Sequence, residues 1–198
     1  MKSMNLRRIF LPALLAALSC TAARAQVGVY ATVAAENFRS ITCIDPRGCA
    51  SGGGVVRPYG GTIGAYYDFR TYGPVRLGAD LRGVFLNSNK SAVTNSGGTD
   101  FTRHYSGLGG ARATFRTPFK VLRPYLQVSA GFARTNAAAT TYQNFTQVQG
   151  FAGLDLALFS NVDFRAIEFG AGELFGPSSH GVQTIGLGIV FHTAREDR

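Results

Sequence analysis

The sequence predicts an all-β fold, an eight-stranded antiparallel transmembrane β-barrel, and three observations lead to this prediction. Eight segments alternate between apolar and polar residues with a period of two, which is typical of strands with two different faces. The connections between these segments are long and short in turn, and the polar face carries many glycines. No stretch after residue 25 approaches the roughly 18 consecutive apolar residues of a transmembrane helix.

The alternation is clearest in the third segment, Val75–Phe85. Leu77 and Leu81 share its apolar face, whereas Asp80 and Arg82 share its charged face. Four other segments show the same period, and residues 27–38, 105–115 and 162–171 are less regular but compatible with it. Each segment has about ten residues, the length that a tilted strand needs to cross the hydrocarbon. The predicted strands comprise residues 27–38, 59–70, 75–85, 105–115, 125–132, 147–158, 162–171 and 184–192.

The connections between the predicted strands differ in length in a regular way. Long polar connections follow strands one, three, five and seven, at residues 39–57, 87–102, 135–145 and 173–181. Short connections follow strands two, four and six, at residues 71–74, 117–123 and 160–161. Strict alternation with both termini on the short side is typical of a bacterial outer-membrane barrel.

A soluble β-sandwich or a lipocalin-like barrel is the alternative fold. Either would bury the apolar face and would need bulky residues there. Here the small residues lie on the polar face, at Gly64, Gly78, Gly131, Gly153, Gly186 and Gly188. An eight-stranded barrel has a narrow interior that such glycines fit, and closure removes the sheet edges that lipid does not tolerate.

The first 25 residues have the parts of a secretory signal peptide. Basic residues precede an apolar run of about ten residues, and Ala23-Arg24-Ala25 forms a cleavage site. We expect cleavage after Ala25, a barrel over residues 26–192 and a short periplasmic tail over residues 193–198. Lipid attachment at Cys20 is the alternative.

Removal of this segment changes the charge of the chain. The whole sequence has a formal charge of +9, and four of its basic residues lie in the first 25, so the remainder carries +5. No cluster of Lys and Arg with interleaved aromatic residues indicates a nucleic-acid partner. A modest positive charge suits outer-membrane lipid and anionic lipopolysaccharide head groups.

Two cysteines, Cys43 and Cys49, lie beyond the predicted cleavage site. In an oxidising compartment this spacing indicates one local disulfide in the first long connection. Two thiols alone make a poor metal site, because structural zinc prefers four ligands. We therefore expect a disulfide ring, no metal and no cofactor.

Several stretches carry a family resemblance. Three stretches resemble the fifth, sixth and seventh strands of small outer-membrane barrels. They are Arg123-Pro124-Tyr125, Gly150–Leu156 with its spaced glycines, and Asn161–Arg165. The closing strand fits the β-signal pattern of polar, glycine, apolar and aromatic positions, at Thr184, Gly186, Ile189 and Phe191. The chain thus resembles the small outer-membrane β-barrel superfamily that includes the OmpA-like and opacity-protein-like porin barrels.

This resemblance implies an eight-stranded barrel that the outer-membrane insertion machinery recognises, and we expect a monomer. The sequence departs from the family in two places. Seven residues follow the aromatic residue of the β-signal. Arg165 and Glu168 are three residues apart, whereas the family often places this pair two apart. Strict alternation would point Glu168 at lipid, which costs about 2 kcal/mol or more, so we predict a β-bulge near Ala166-Ile167.

The polar face concentrates charge. The alternation places seven charged side chains in the lumen: Arg76, Asp80, Arg82, Arg112, Asp155, Arg165 and Glu168. Buried charges need partners, so we expect an ion-pair network that plugs the barrel. The sequence therefore favours an integral outer-membrane protein with a structural or surface-interaction role and no enzymatic activity. A small ion or solute channel is the alternative.

A lipid-A-modifying enzyme is a third hypothesis, because some small outer-membrane barrels have that activity. Ser178, Ser179 and His180 lie together near Glu173, although neighbouring side chains usually diverge. We interpret His104 and His192 as interface histidines. Tyrosines near the predicted strand ends favour an aromatic girdle at the membrane interface, at Tyr30, Tyr59, Tyr72, Tyr105 and Tyr125.

Overall fold

The computed structural model describes residues 26–39, 57–89, 101–119, 121–137, 141–176 and 179–193. These residues form eight strands, and each strand pairs with the next. The strands are β1 (Gln26–Arg39), β2 (Tyr59–Tyr72), β3 (Val75–Ser88), β4 (Thr102–Phe115), β5 (Leu122–Thr135), β6 (Gln143–Ala157), β7 (Val162–Phe175) and β8 (His180–His192). Among them there is no helix long and apolar enough to cross a membrane.

The sheet closes on itself. All neighbouring strands are antiparallel, and β1 pairs with β8 over twelve residues, from Gly28 opposite His192 to Arg39 opposite Gly181. Closure satisfies the backbone groups that an open sheet would leave unpaired at its edges. The predicted fold class, an eight-stranded antiparallel barrel, is confirmed.

The outer wall of the barrel is apolar. Large hydrophobic side chains project from every strand, and Val33, Leu81 and Phe132 are 65%, 70% and 79% exposed. Charged and amide side chains alternate with them and point into the lumen, where Glu168 and Gln147 are fully enclosed. This arrangement is inverted with respect to a soluble protein, so the apolar faces read from the sequence lie outside.

The strands are longer than predicted. Each has 13 to 15 residues, and most of the added residues extend towards the long connections. The short connections are correspondingly tight. Gly73 and Pro74 alone join β2 to β3, and Gly73 adopts a left-handed φ of 53° that other residues rarely adopt.

The predicted β-bulge is present in β7. Ile167 is opposite Leu154 and Arg165 is opposite Asp155, so Ala166 is an extra residue relative to β6. The register of β7 against β8 shifts at the same place. Because of this single insertion, Arg165 and Glu168 both point into the lumen although three residues separate them.

Tyrosine rings fill the space above lumen glycines. In three directly opposed pairs on neighbouring strands, the ring covers the glycine: Tyr30 over Gly64, Tyr66 over Gly28, and Tyr125 over Gly153. A Cβ atom at Gly64 would lie 2.3 Å from the Tyr30 ring. The glycines therefore supply the room that lets large polar rings lie flat inside a narrow barrel.

Several predictions concern residues outside this description. They are the signal peptide and its cleavage after Ala25, the Cys43–Cys49 disulfide, Ser178, and the tail beyond Thr193.

Candidate functional site

The lumen is the candidate functional site, and Glu168 lies at its centre. Arg82 donates two parallel hydrogen bonds to this carboxylate, each 2.7 Å long. Arg165 donates a third over 3.1 Å, and the Tyr125 hydroxyl donates a fourth. Donors from three strands, β3, β5 and β7, thus converge on one side chain, which the bulge in β7 turns inward.

A second carboxylate, Asp155, joins two of the arginines. It accepts hydrogen bonds from Arg165 at 2.9 and 3.3 Å, and Arg112 donates to it over 2.9 Å. Arg165 therefore bridges Asp155 and Glu168. This continuity links β4, β6 and β7 through charge-assisted hydrogen bonds, which are stronger than neutral ones.

The third carboxylate, Asp80, is held by neutral donors. The Tyr30 hydroxyl donates to it over 3.0 Å, and the Gln127 amide donates over 2.7 Å. The same Tyr30 oxygen accepts a hydrogen bond from Arg82 at 3.0 Å. Tyr30 thereby connects Asp80 to the Glu168 cluster.

Aromatic rings cover the guanidinium groups. Arg82 lies 3.9 Å from the centre of the Phe151 ring, and Arg112 lies 4.1 and 4.2 Å from the rings of Tyr66 and Tyr125. Stacking on an aromatic face favours a cation where water is excluded. The rings that overlie glycines therefore also stabilise the charges.

The central layer is charge-balanced and filled. Three carboxylates face three guanidiniums, and each of these six side chains belongs to a residue no more than 4% exposed: Asp80, Arg82, Arg112, Asp155, Arg165 and Glu168. Buried charges need partners, and each of these six side chains has at least one hydrogen-bonding partner in the lumen. These six side chains lie together inside the lumen at this level.

At the short-turn end, a smaller network lies below this layer. Arg123 binds Asp163 through two contacts of 2.6 and 2.7 Å, and His192 approaches the same carboxylate at 3.2 Å. Arg76 is half-buried at this rim and donates to Gln26. Of the seven predicted lumen charges, Arg76 is therefore the one that lies outside the central layer.

Towards the long-loop end, a different pair occupies the lumen. His104 lies 3.5 Å from Glu36, and Thr184 donates to Glu36 over 3.1 Å. Gln149 in turn donates to Thr184 over 2.6 Å. A buried apolar cluster lies at this end, comprising Phe38, Ala133, Ala137, Phe145, Leu174 and Val182. Phe38 contacts His104 edge to face at 5.3 Å between ring centres.

Two interpretations drawn from the sequence are wrong. His104 is not an interface residue, because β4 begins at Thr102 and the imidazole is fully enclosed in the lumen. Tyr30 and Tyr125 do not belong to a girdle, because they point inward and are 3% and 1% exposed. Tyr59, Tyr72 and Tyr105 do face outward.

Of the residues considered for catalysis, Ser179 and Glu173 contact each other, and Ser178 lies outside the described residues. The Ser179 hydroxyl donates to the Glu173 carboxylate. Its single hydrogen is therefore engaged by a carboxylate and not by an imidazole. His180 is buried, and its ring contacts Phe145 at 5.8 Å. Within the described residues, no group of three or more His, Cys, Asp or Glu is arranged to hold a metal ion.

Sequence reasoning missed several lumen residues. Glu36, Tyr66 and Gln127 contribute to the networks, and Asp163 binds Arg123 at the rim. The period of two places the first three on the inward face of their strands, but it does not show which side chains they meet. Their partners belong to other strands, one or two strands away, and have no signal in the linear sequence.

Comparison with known proteins indicates a shared fold. No family model matches the sequence, and no curated protein matches it. Among solved structures, the attachment invasion locus protein Ail of Yersinia pestis, solved with the heparin analogue sucrose octasulfate, is similar with a TM-score of 0.55 at 12% identity. That match covers 86% of this chain and 99% of Ail.

Two further structures have the same architecture. Neisserial surface protein A is similar with a TM-score of 0.55 at 17% identity, over 83% of this chain and 96% of that protein. The outer-membrane enzyme PagL is similar with a TM-score of 0.51 at 12% identity, over 83% of this chain and 98% of that protein. The chain therefore has the fold of the small outer-membrane barrels, and one protein with this fold, PagL, is an enzyme.

Proposed function

We propose that the protein is a monomeric, integral outer-membrane barrel with a structural or surface-interaction role and no enzymatic activity. The observation that carries this proposal is the combination of a filled, charge-balanced lumen with an apolar outer wall. A filled lumen leaves the outer surface and the long-loop end as the places where the molecule meets partners.

The dimensions of the barrel support a position across a bilayer. A strand of 14 residues, tilted as in known barrels, rises by roughly 35 Å along the barrel axis. The apolar band of outer-membrane barrels is about 25 Å tall. The strands therefore extend beyond the hydrocarbon, which explains why they are longer than the sequence pattern indicates.

The described residues include more exposed arginines at the long-loop end than at the short-turn end, where Arg70 and Arg116 are exposed. At the long-loop end, Arg39, Arg57, Arg103 and Arg134 are exposed, and Glu173 is an exposed acidic residue at the same end. Guanidinium groups bind phosphate well, so this end suits the leaflet that contains lipopolysaccharide. The short turns and both termini then face the periplasm.

Export and insertion complete the proposal. Residues 1–25 act as a signal peptide cleaved after Ala25, and the insertion machinery reads the closing strand. In β8, Ile189 and Phe191 project outward from the wall, whereas Thr184 points inward. The outward pair is accessible to another strand or protein during assembly.

A gel experiment tests the location and the fold together. Outer-membrane fractions from cells that produce the full chain are separated unheated and boiled, and the protein is detected with an antibody. We expect it in that fraction, with a faster unheated band that reflects a closed, detergent-resistant barrel. A soluble periplasmic protein without a mobility shift would refute the proposal.

A conductance measurement separates the proposed role from that of a channel. The folded protein is reconstituted in planar bilayers, and we expect no regular single-channel steps because the side chains of the central layer lie together inside the lumen. A stable conductance would identify the barrel as a channel instead, if the substitution Arg82→Met or Arg165→Met increases that conductance. Lipid A from cells that overproduce the protein should have unchanged masses, whereas altered masses would identify an enzyme.

A further inference from the structure

The outer wall of β4 has no large side chains at its middle. Gly107, Gly109 and Ala111 point outward there, between the larger residues of β3 and β5. The result is a groove with two adjoining parts of about 440 and 710 Å³, which share Gly107 and Phe132. Leu81 forms one wall, and Phe132 forms the other.

The glycines of this groove differ from those of the lumen. A Cβ atom at Gly107 would meet nothing within 4 Å, and at Gly109 it would approach only a methyl group of Leu81, at 3.2 Å, and a backbone oxygen at 3.9 Å. By contrast, Gly64 and Gly153 are required by the rings that cover them. Packing of the barrel therefore does not explain glycine at position 107, whereas an occupant of the groove would.

Two arginines stand at the long-loop end of the groove. Arg134 is opposite Tyr105 in the pairing of β4 with β5, and Arg103 lies two residues further along the same face. Such diagonal neighbours have Cβ atoms about 7 Å apart. Their guanidiniums lie over Phe101 and Tyr142, at 4.7 and 5.1 Å, and neither forms an ion pair with any residue that the structure describes.

We propose that this groove binds one acyl chain of a phosphorylated glycolipid of the outer leaflet, lipopolysaccharide, whose phosphate Arg103 and Arg134 hold. The proposal rests on the outer-membrane location proposed above. Arg134 lines the groove, and Arg103 lies just beyond its end on the same face. Arg103 and Gly109 are about 20 Å apart along the strand, so a phosphate at the interface and an acyl chain in the groove can be bound together.

The charges distinguish this occupant from a second copy of the chain. Two copies in one membrane are related by an axis along the membrane normal, and a symmetric contact through β4 would bring the same surface together. Both pairs of arginines would then lie at the same height and repel each other. An anionic lipid instead neutralises the pair, and bidentate guanidinium–phosphate contacts suit its head group.

Binding to the folded full-length barrel in detergent micelles tests the proposal. Native mass spectrometry measures the dissociation constant of bis-phosphorylated lipid A and, separately, of phosphatidylglycerol. One variant, Arg103→Gln with Arg134→Gln, removes the charges, and another, Gly107→Leu, fills the groove. The matched controls are Arg39→Gln, at the same end on β1, and Ala171→Leu, an outward position on β7.

We expect lipid A to bind the wild type, and both groove variants to weaken it by about tenfold or more, with little effect of either control. Leucine at position 107 has room, so this variant should keep the mobility shift of a folded barrel. Equal affinity in all variants, or an equal loss with Arg39→Gln, would overturn the proposal.

Two other results would also overturn it. Phosphatidylglycerol that binds as tightly as lipid A would show that the site does not select the glycolipid. A cross-linked dimer that Gly107→Leu abolishes would assign the groove to a second copy. Lipid binding is measured only on protein that already shows the heat-dependent shift in gel mobility. A failure of this proposal is therefore distinguishable from a failure of the proposed location and fold.

Discussion

Replacement of Glu168 by glutamine should destabilise the barrel strongly. The carboxylate accepts four hydrogen bonds, two from Arg82 and one each from Arg165 and Tyr125. Glutamine offers one acceptor oxygen and turns an NH₂ group towards a guanidinium, which also donates. Because the change leaves a net positive charge in a dry layer, we expect a loss of about 3–5 kcal/mol.

Equilibrium unfolding in urea measures this loss, with the protein folded in detergent micelles. The chain has no tryptophan, so far-ultraviolet circular dichroism and the unheated gel band report the folded fraction. The control is Glu173→Gln on the same strand, because Glu173 is exposed and its carboxylate accepts a hydrogen bond from the nearby, exposed Ser179. A stability of Glu168→Gln equal to that of the control would refute the reasoning.

A double substitution separates the loss of a pair from the burial of an unpaired charge. Arg82→Met with Glu168→Met leaves two guanidiniums facing two carboxylates in the central layer. Replacement of a buried ion pair by apolar residues of similar volume is often close to neutral. We therefore expect the double variant to lose less stability than the sum of its two single variants, and an additive loss would contradict a specific pair.

Three other predictions use the same unfolding measurement. Gly64→Ala should lower the free energy of unfolding by at least about 1 kcal/mol, because the new methyl group displaces the Tyr30 ring. Gly107→Ala, the control, should leave the stability nearly unchanged. Equal effects of the two variants would show that the ring adjusts freely. The losses of stability caused by Glu36→Gln and by His104→Gln should be non-additive in a double-mutant cycle. A coupling energy of zero would exclude a direct interaction between the two side chains. Leu187→Arg should cost about 2–4 kcal/mol if that outward position lies near the middle of the bilayer, and a cost no larger than that of Leu187→Ala would contradict this placement.

The sequence predicts the wall of the barrel well because the period of two is local. A strand exposes alternate residues to lipid whatever its partners are. The same rule, applied to Arg165 and Glu168, predicted the bulge in β7, since only an inserted residue returns both side chains to one face. Local alternation therefore determined which residues enter the lumen.

Alternation does not determine which side chains meet inside. Arg82 of β3 reaches Glu168 of β7 across the lumen, and 86 residues separate the two in sequence. Such contacts depend on the stagger of the strands at closure. The errors at His104 and Tyr30 have simpler causes. The predicted start of β4, at residue 105, lies three residues after its observed start at Thr102, so His104 was placed outside the strand. The tyrosines were assigned by their distance from the strand ends and not by the face to which they belong.

The two kinds of glycine connect the interior of the barrel to its surface. At the middle of β4 the outward positions are glycines, and Tyr30 and Arg82 contribute to the lining of the outer groove as well as to the central layer. A lumen filled with rings and guanidiniums supports this part of the wall from within, so the groove does not require bulky residues outside. We therefore expect Gly107→Leu to change lipid binding without changing stability, whereas Glu168→Gln should weaken both.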